Sequence, residues 1–260
     1  MIDTIQYPDT PFPLGPSLVL LGRRGSEAHG TYLPPTEPDA IDDRDLMGAC
    51  IPPARYYLGL SRWEGAEAIK GQWDVVLYEL RKFVRLLEKQ NPNVIGMLWL
   101  EPEDYLFVSE EGRALIENRE LFRGRKLAYQ SFCGYASSQL KKMEGGAFRG
   151  YMGDKRKRLV EQHGYDTKNA AHLIRLLHMG EEYLRTGEMR VRRTWDRDML
   201  VEIKRGGWKL EQVKEYAESR FARVRDAFEQ SPMPDEPDHE AVDSLTTDIV
   251  LRSLRARRQV

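Results

Sequence analysis

The sequence predicts an α+β protein in which a small mixed sheet is followed by a mainly helical part. Short apolar runs bounded by Pro and Gly crowd the first hundred residues, and after about residue 112 the apolar residues recur at helical spacing. Charge divides in the same way. Residues 1–124 hold 13 Lys/Arg against 20 Asp/Glu, residues 125–225 hold 23 against 13, and residues 226–260 hold 4 against 8. A carboxylate-rich part followed by a basic part suits metal ions on one side and a polyanion on the other. The expected division is a sheet part over 1–111, a helical part over 112–230, and an acidic, Pro-rich linker with a short C-terminal helix over 231–260.

Pro8, Pro11, Pro13 and Pro16 make an extended lead-in to the first strand, Ser17–Leu21, which Gly22 closes. Tyr32–Ala40, with Pro34, Pro35 and Pro38, reads as a loop. Asp43–Ile51 and Trp73–Tyr78 are the next strands, the latter running into a helix over roughly Tyr78–Glu88. That helix sets Leu80, Val84 and Leu87 against Arg81, Lys82 and Arg85 on its other face, and Asn91-Pro92-Asn93 ends it. Val94–Leu100 is apolar and open as to type. Helices follow over Leu127–Met143, broken by Gly145-Gly146, over Thr167–Thr186, closed by Gly187, and over Lys209–Gln230.

The longest apolar runs, Leu18–Leu21 and Val94–Leu100, fall far short of the roughly 20 residues that span a bilayer, so no membrane partner is expected. The first ten residues are polar and lack a basic n-region, which points to a cytoplasmic protein. Two isolated cysteines, Cys50 and Cys133, exclude a zinc motif or a disulfide framework and read as small buried hydrophobes.

Chemistry concentrates in LVLLGRRGSEAHG and the later IDDRDLMG. Strand alternation sends residues i and i+2 to one face, so Asp43 and Asp45 are expected to project together with Arg44 turned away. Two carboxylates on one face form a hard-oxygen site suited to Mg²⁺ or Mn²⁺. Gly25 lets backbone approach a phosphate closely, and Ser26 adds a hydroxyl and a backbone N–H there. Asp74 heads the third strand just before a helical run, where it could be a third metal-binding acid or a helix N-cap. Glu79 is the weaker alternative acid.

Gly-Ser followed after a spacer by Asp-x-Asp resembles the signature of the DNA polymerase β nucleotidyltransferase superfamily. More closely, GSEAHG, DVVLYELRKFVRLL followed by NPNV, and HLIRLLHMGEEYLRTGE resemble the RNA-ligase-associated, polymerase-β-like family of bacteria and phages. These motifs run from about residue 18 to 230. The resemblance implies a polymerase-β-type catalytic core and transfer of an NMP from an NTP to a hydroxyl, with release of pyrophosphate. It implies two divalent ions on Asp43, Asp45 and Asp74, with Asp74 helping to deprotonate the acceptor. An RNA or tRNA end is the favoured acceptor. A protein-modifying NMP transferase and a non-catalytic nucleotide- or RNA-binding module are the alternatives. The 16-residue, Pro-rich spacer between Ser26 and Asp43, and Gly96 where relatives often carry an acid, depart from the pattern.

In the helix over 167–186, Lys168, His172 and Arg175 share a face opposite Leu173, Leu176, Leu177, Gly180 and Leu184. The polar row is expected to point outward or into a cleft and to hold a triphosphate, Arg175 as a fork and Lys168 as a point charge. Tyr135, Gln139 and Lys142 share a face of the preceding helix and could contact the base or the acceptor. Lys155-Arg156-Lys157-Arg158 is a solvated basic run that could touch a phosphate backbone. His29, His163, His178 and His239 show no ligand spacing.

Overall fold

The computed structural model describes residues 5–34, 36–37, 42–144 and 154–258. In chain order come β1 (Leu18–Arg23), α1 (Gly25–Ala28), β2 (Arg44–Cys50), α2 (Arg55–Leu58), β3 (Gly65–Lys70), β4 (Trp73–Glu79), α3 (Leu80–Glu88), β5 (Tyr105–Val108) and α4 (Glu110–Glu117). Then follow α5 (Arg125–Glu144), α6 (Asp154–His163), α7 (Thr167–Thr186), α8 (Arg197–Lys204), α9 (Leu210–Glu229) and α10 (His239–Arg258). The protein is α+β. Gly145-Gly146, Pro35, Pro38 and the side chains of Lys155 and Arg156 lie outside the described residues. Lys157 and Arg158 are exposed on α6. Among the described residues no helix is long and apolar enough to cross a membrane.

The chain forms two compact units, and they do not follow chain order. One takes residues 1–28, 43–123 and 236–260; the other takes 29–42 and 124–235. The division therefore falls at 123/124 rather than 111/112. The long spacer between Ser26 and Asp43 has a physical account: its described residues from His29 to Asp42 fall within the helical unit.

In the first unit the strand order is β3-β4-β2-β1-β5, with β2 and β4 parallel and the other neighbours antiparallel. The central strands bury both faces, as their near-continuous apolar runs require. Leu21, Leu46, Cys50, Trp73, Val75 and Leu77 form the core of one face, joined by Ile5. Alternation then puts Asp45 and Asp74 on the other face. The parallel register sets these two acids side by side, Asp45 opposite Asp74. The cap of α3 is Glu79, whose carboxylate accepts hydrogen bonds from the backbone N–H groups of Arg81 and Lys82. Asp74 is thereby relieved of the capping role, since it lies within β4. The C-terminal helix belongs to this unit: Arg257 donates to the Ile51 carbonyl at 2.6 Å, and Asp238 N–H donates to the Leu121 carbonyl at 2.9 Å.

In the second unit α7 is the central helix, packed against α5, α8 and α9. Asp166 caps its start by accepting from Asn169 N–H, and Gly187, left-handed at φ 71°, closes it. Gly180 allows the close crossing with α5, because a Cβ there would sit 3.0 Å from Phe132 Cβ. Of the row expected to point outward or into a cleft, Lys168 and His172 are half-buried and Arg175 is buried. With neighbours on several sides, α7 buries Arg175, His178 and Glu181 along with its leucines.

The buried polar groups of α7 are held by a network. His178 Nδ1 lies 2.6 Å from Asp196 Oδ2, and its Nε2 lies 3.1 Å from the Tyr216 hydroxyl. Arg220 donates to that hydroxyl oxygen at 2.6 Å, which leaves the Tyr216 O–H to donate to His178 Nε2. The chain of donors fixes a neutral imidazole protonated at Nδ1. Arg193 donates to both Glu182 and Asp196. Burial holds the His178 pKa below its ordinary value against the pull of Asp196, and burial also holds His29 well below it. A histidine with a depressed folded pKa contributes stability above its unfolded value near 6.5, and this is lost as pH falls below it. The melting temperature is therefore expected to drop as pH is lowered from 7 to 5. His178→Asn should be less stable at pH 7 and should show a flatter profile. A level wild-type profile across that window would contradict the neutral, buried assignment.

Candidate active site

The turn from β1 into α1 meets the start of β2. Arg24 N–H donates to the Asp45 carbonyl at 2.9 Å and fixes the turn on that strand. Gly25 follows at φ +63°, and a Cβ on it would lie 2.1 Å from Asp45 Oδ2. Glycine is thus required twice, by the left-handed backbone and by the carboxylate beside it. Ser26 opens the turn's other side. Its Oγ is buried without a hydrogen-bond partner, as is Asp74 Oδ1.

Arg24 completes this corner, and sequence reasoning did not assign it. Its Nη2 lies 3.1 Å from Asp74 Oδ2 and 3.9 Å from Asp45 Oδ1, so one guanidinium bridges both acids and offsets one of their two charges. The fit is imperfect, because Arg24 Nε is also buried without a partner. Glu27 lies nearby, 3.7 Å from Arg44 Nε. Burial raises the Glu27 carboxyl above its ordinary pKa, with Arg44 and Arg23 opposing. The one sequence signal for this corner was the Arg23-Arg24 pair directly before Gly25-Ser26, cations placed where an anion site was expected.

The structure brings Gly25, Ser26, Asp45 and Asp74 together. Asp43 is exposed and precedes β2 rather than lying in it. Asp45 has Asp74 as its neighbour across the sheet. Among the described residues no three His, Cys, Asp or Glu side chains form one metal-sized group. Two adjacent carboxylates, with an orphaned carboxylate oxygen and an orphaned hydroxyl by the Gly25 turn, still fit a hard divalent cation carrying a phosphate.

The residues expected on α7 fare differently from one another. Lys168 is engaged by the buried Asp42 carboxylate at 3.4 Å, and Lys204 pairs with the same carboxylate. His172 is half-buried. Arg175 is 9% exposed, and its partner is a thioether: Nη1 donates to Met179 Sδ at 3.0 Å. Among the described residues no carboxylate pairs with it. Burial, with Arg193 nearby, pulls its pKa down to about 9. The Asp196 carboxylate opposes that pull only in part, and a buried cation without a carboxylate in direct contact is costly. On α5, Tyr135 is half-buried, Gln139 is buried with Oε1 unpartnered, and Lys142 is exposed. Burial pushes the Cys50 thiol up to about 12 and Cys133 up to about 11, which leaves both unreactive.

The family model described as RNA repair pathway DNA polymerase beta family matches residues 15–248. Among solved structures, the chain is similar to a nucleotidyltransferase-like protein from Exiguobacterium sibiricum 255-15, at 12% identity and a TM-score of 0.28, over 94% of this chain and 70% of that one. No curated protein matches.

Proposed function

We propose, since this chain belongs to the RNA repair pathway DNA polymerase beta family, that it moves an NMP from an NTP onto a hydroxyl at an RNA or tRNA end. The observation that carries the reading is the pairing of Asp45 with Asp74 beside the Gly25-Ser26 turn. The acceptor oxygen attacks the α-phosphorus, the bond to the oxygen bridging the β-phosphorus breaks, and pyrophosphate leaves with that electron pair. Asp45 and Asp74 would hold Mg²⁺ or Mn²⁺, with Asp43 at the edge. When bound, two such ions offset phosphate charge and acidify the attacking hydroxyl. Asp74 would take the acceptor proton. Ser26 Oγ and the backbone at Gly25 would bond phosphate oxygens. Within the helical unit, the buried Arg175 is a candidate anion-binding group, with His172 on the same helix.

The test is label transfer. The protein is incubated with each α-labelled NTP, Mg²⁺ or Mn²⁺, and a pool of tRNA, small RNAs and cell protein, beside an Asp45→Ala/Asp74→Ala control. Label on RNA with the wild type alone supports the proposal. Label on protein moves it to a protein-modifying transferase. Nucleotide binding without transfer in any pool favours a binding module.

Arg24 gives a further expectation. It occupies the space between the two acids as a resident cation, and a divalent ion must compete with it. Arg24→Gln is expected to tighten Mn²⁺ binding in the absence of nucleotide by about fivefold, the scale of ~1 kcal/mol between unit charges 4 Å apart in water. Electron paramagnetic resonance of free Mn²⁺ reads this directly. Weaker binding by the variant would show that Arg24 does not compete.

A further inference from the structure

The connection between α7 and α8 holds Trp195 at 54% exposed, the most exposed aromatic among the large hydrophobics left in solvent. Its position is fixed. The indole N–H donates to Glu182 Oε1 at 2.6 Å, and the same carboxylate is gripped by Arg193, whose Nη2 donates to Oε1 and Nη1 to Oε2, both at 2.8 Å. The ring lies against the His178 imidazole, with centroids 4.8 Å apart and planes at 34°, and the Arg193 guanidinium is 5.8 Å from its centroid. Packing therefore covers part of the indole and holds it, while about half of it stays open to solvent. Leaving an aromatic in water when the neighbouring chain is rigid and buried is unfavourable, and a ligand face would reverse that.

Charge says which ligand. Residues 185–198 carry five arginines against three carboxylates, Glu188, Asp196 and Asp198. Asp196 is buried and already bonded to His178 and Arg193. Arg190 and Arg197 are exposed in this stretch, and Arg197 pairs with the exposed Asp198 at 2.9 Å. A fixed aromatic face with surrounding arginines takes the unstacked bases and phosphates of a single strand, whereas a duplex hides its base faces. We propose that Trp195 is a stacking platform for an unpaired base of single-stranded RNA, with the arginines of this connection holding the flanking phosphates. The inference deepens the proposed transferase and rests on its reading of RNA as the acceptor. It moves the acceptor contact from the expected Tyr135, Gln139 and Lys142 to Trp195.

The test measures binding of the full chain to a single-stranded RNA of about 12 nucleotides, without NTP or metal, by anisotropy of a labelled strand. The duplex of the same sequence, and heparin as a plain polyanion, are run in parallel. Trp195→Ala is expected to weaken single-strand binding on the order of tenfold, the scale of one base stacked on one ring, with the duplex and heparin nearly unchanged. Trp195→Phe should retain most of the affinity. Trp195→Met, which keeps apolar bulk without a π face, should behave like the alanine variant and serves if that one loses its fold. Single-strand affinity unchanged in Trp195→Met would overturn the platform, as would an equal loss for heparin. The two proposals fail separately. Trp195-dependent binding without label transfer removes the transferase alone, and label transfer to RNA with Trp195-independent binding removes the platform alone.

Discussion

Asparagine at Asp45 or Asp74 is expected to lower NMP transfer to RNA on the order of 10³-fold, about 4 kcal/mol of transition-state stabilisation, the scale a metal-borne charge supplies. The two acids are adjacent across the parallel β2–β4 pair, and both face Arg24. The amide keeps the shape and removes the charge that would hold a divalent ion. Folding should hardly change. Both acids are partly exposed, and pairs of this kind contribute roughly 0–1 kcal/mol. The expected result is therefore near wild-type melting, lost Mn²⁺ binding and lost transfer, read by calorimetry, paramagnetic resonance and single-turnover label transfer. Asp43→Asn should lose less, because Asp43 is exposed ahead of the strand. Transfer within a few-fold of wild type in Asp45→Asn and Asp74→Asn would remove the metal site from the mechanism.

What the sequence made legible was local. The Ser17–Leu21 run, the Gly25-Ser26 turn and the Trp73–Tyr78 strand are read from composition within a few residues, and β1, α1 and β4 stand there. The helix over Thr167–Thr186 matches to the residue because Asp166 and Gly187 punctuate it. Strand β3, GAEAIK, was not legible, since an exposed edge strand needs little apolar alternation. Strand β5 is four residues long. The harder losses were long-range. That Asp74 neighbours Asp45 depends on the parallel β2–β4 register, which no spacing within 43–45 encodes. That Arg175 is buried depends on three helices enclosing α7. That the spacer at 29–42 belongs to the helical unit shows in pairings such as Asp42 with Lys204, 162 residues apart in sequence.

Gly25→Ala tests the same corner through its backbone, and its effect on activity should greatly exceed its effect on stability. A left-handed φ of +63° costs a non-glycine residue roughly 1–2 kcal/mol, which lowers melting by a few degrees. The added methyl must also avoid Asp45 Oδ2, and at 2.1 Å something has to move. The backbone of the turn is tied to β2 through Arg24 N–H and the Asp45 carbonyl, so the yielding group is the Asp45 carboxylate. Turning it breaks its alignment with Asp74 and with the Arg24 guanidinium. A displacement near 1 Å at a reacting centre costs on the order of 10²-fold. Gly25→Ala should therefore lose about that much transfer and bind Mn²⁺ more weakly, while Gly180→Ala, which meets Phe132 in the other unit, should lose stability and keep metal binding. If Gly25→Ala instead melts early but transfers label normally once folded, the glycine serves the turn alone and the carboxylate has room the geometry does not grant it.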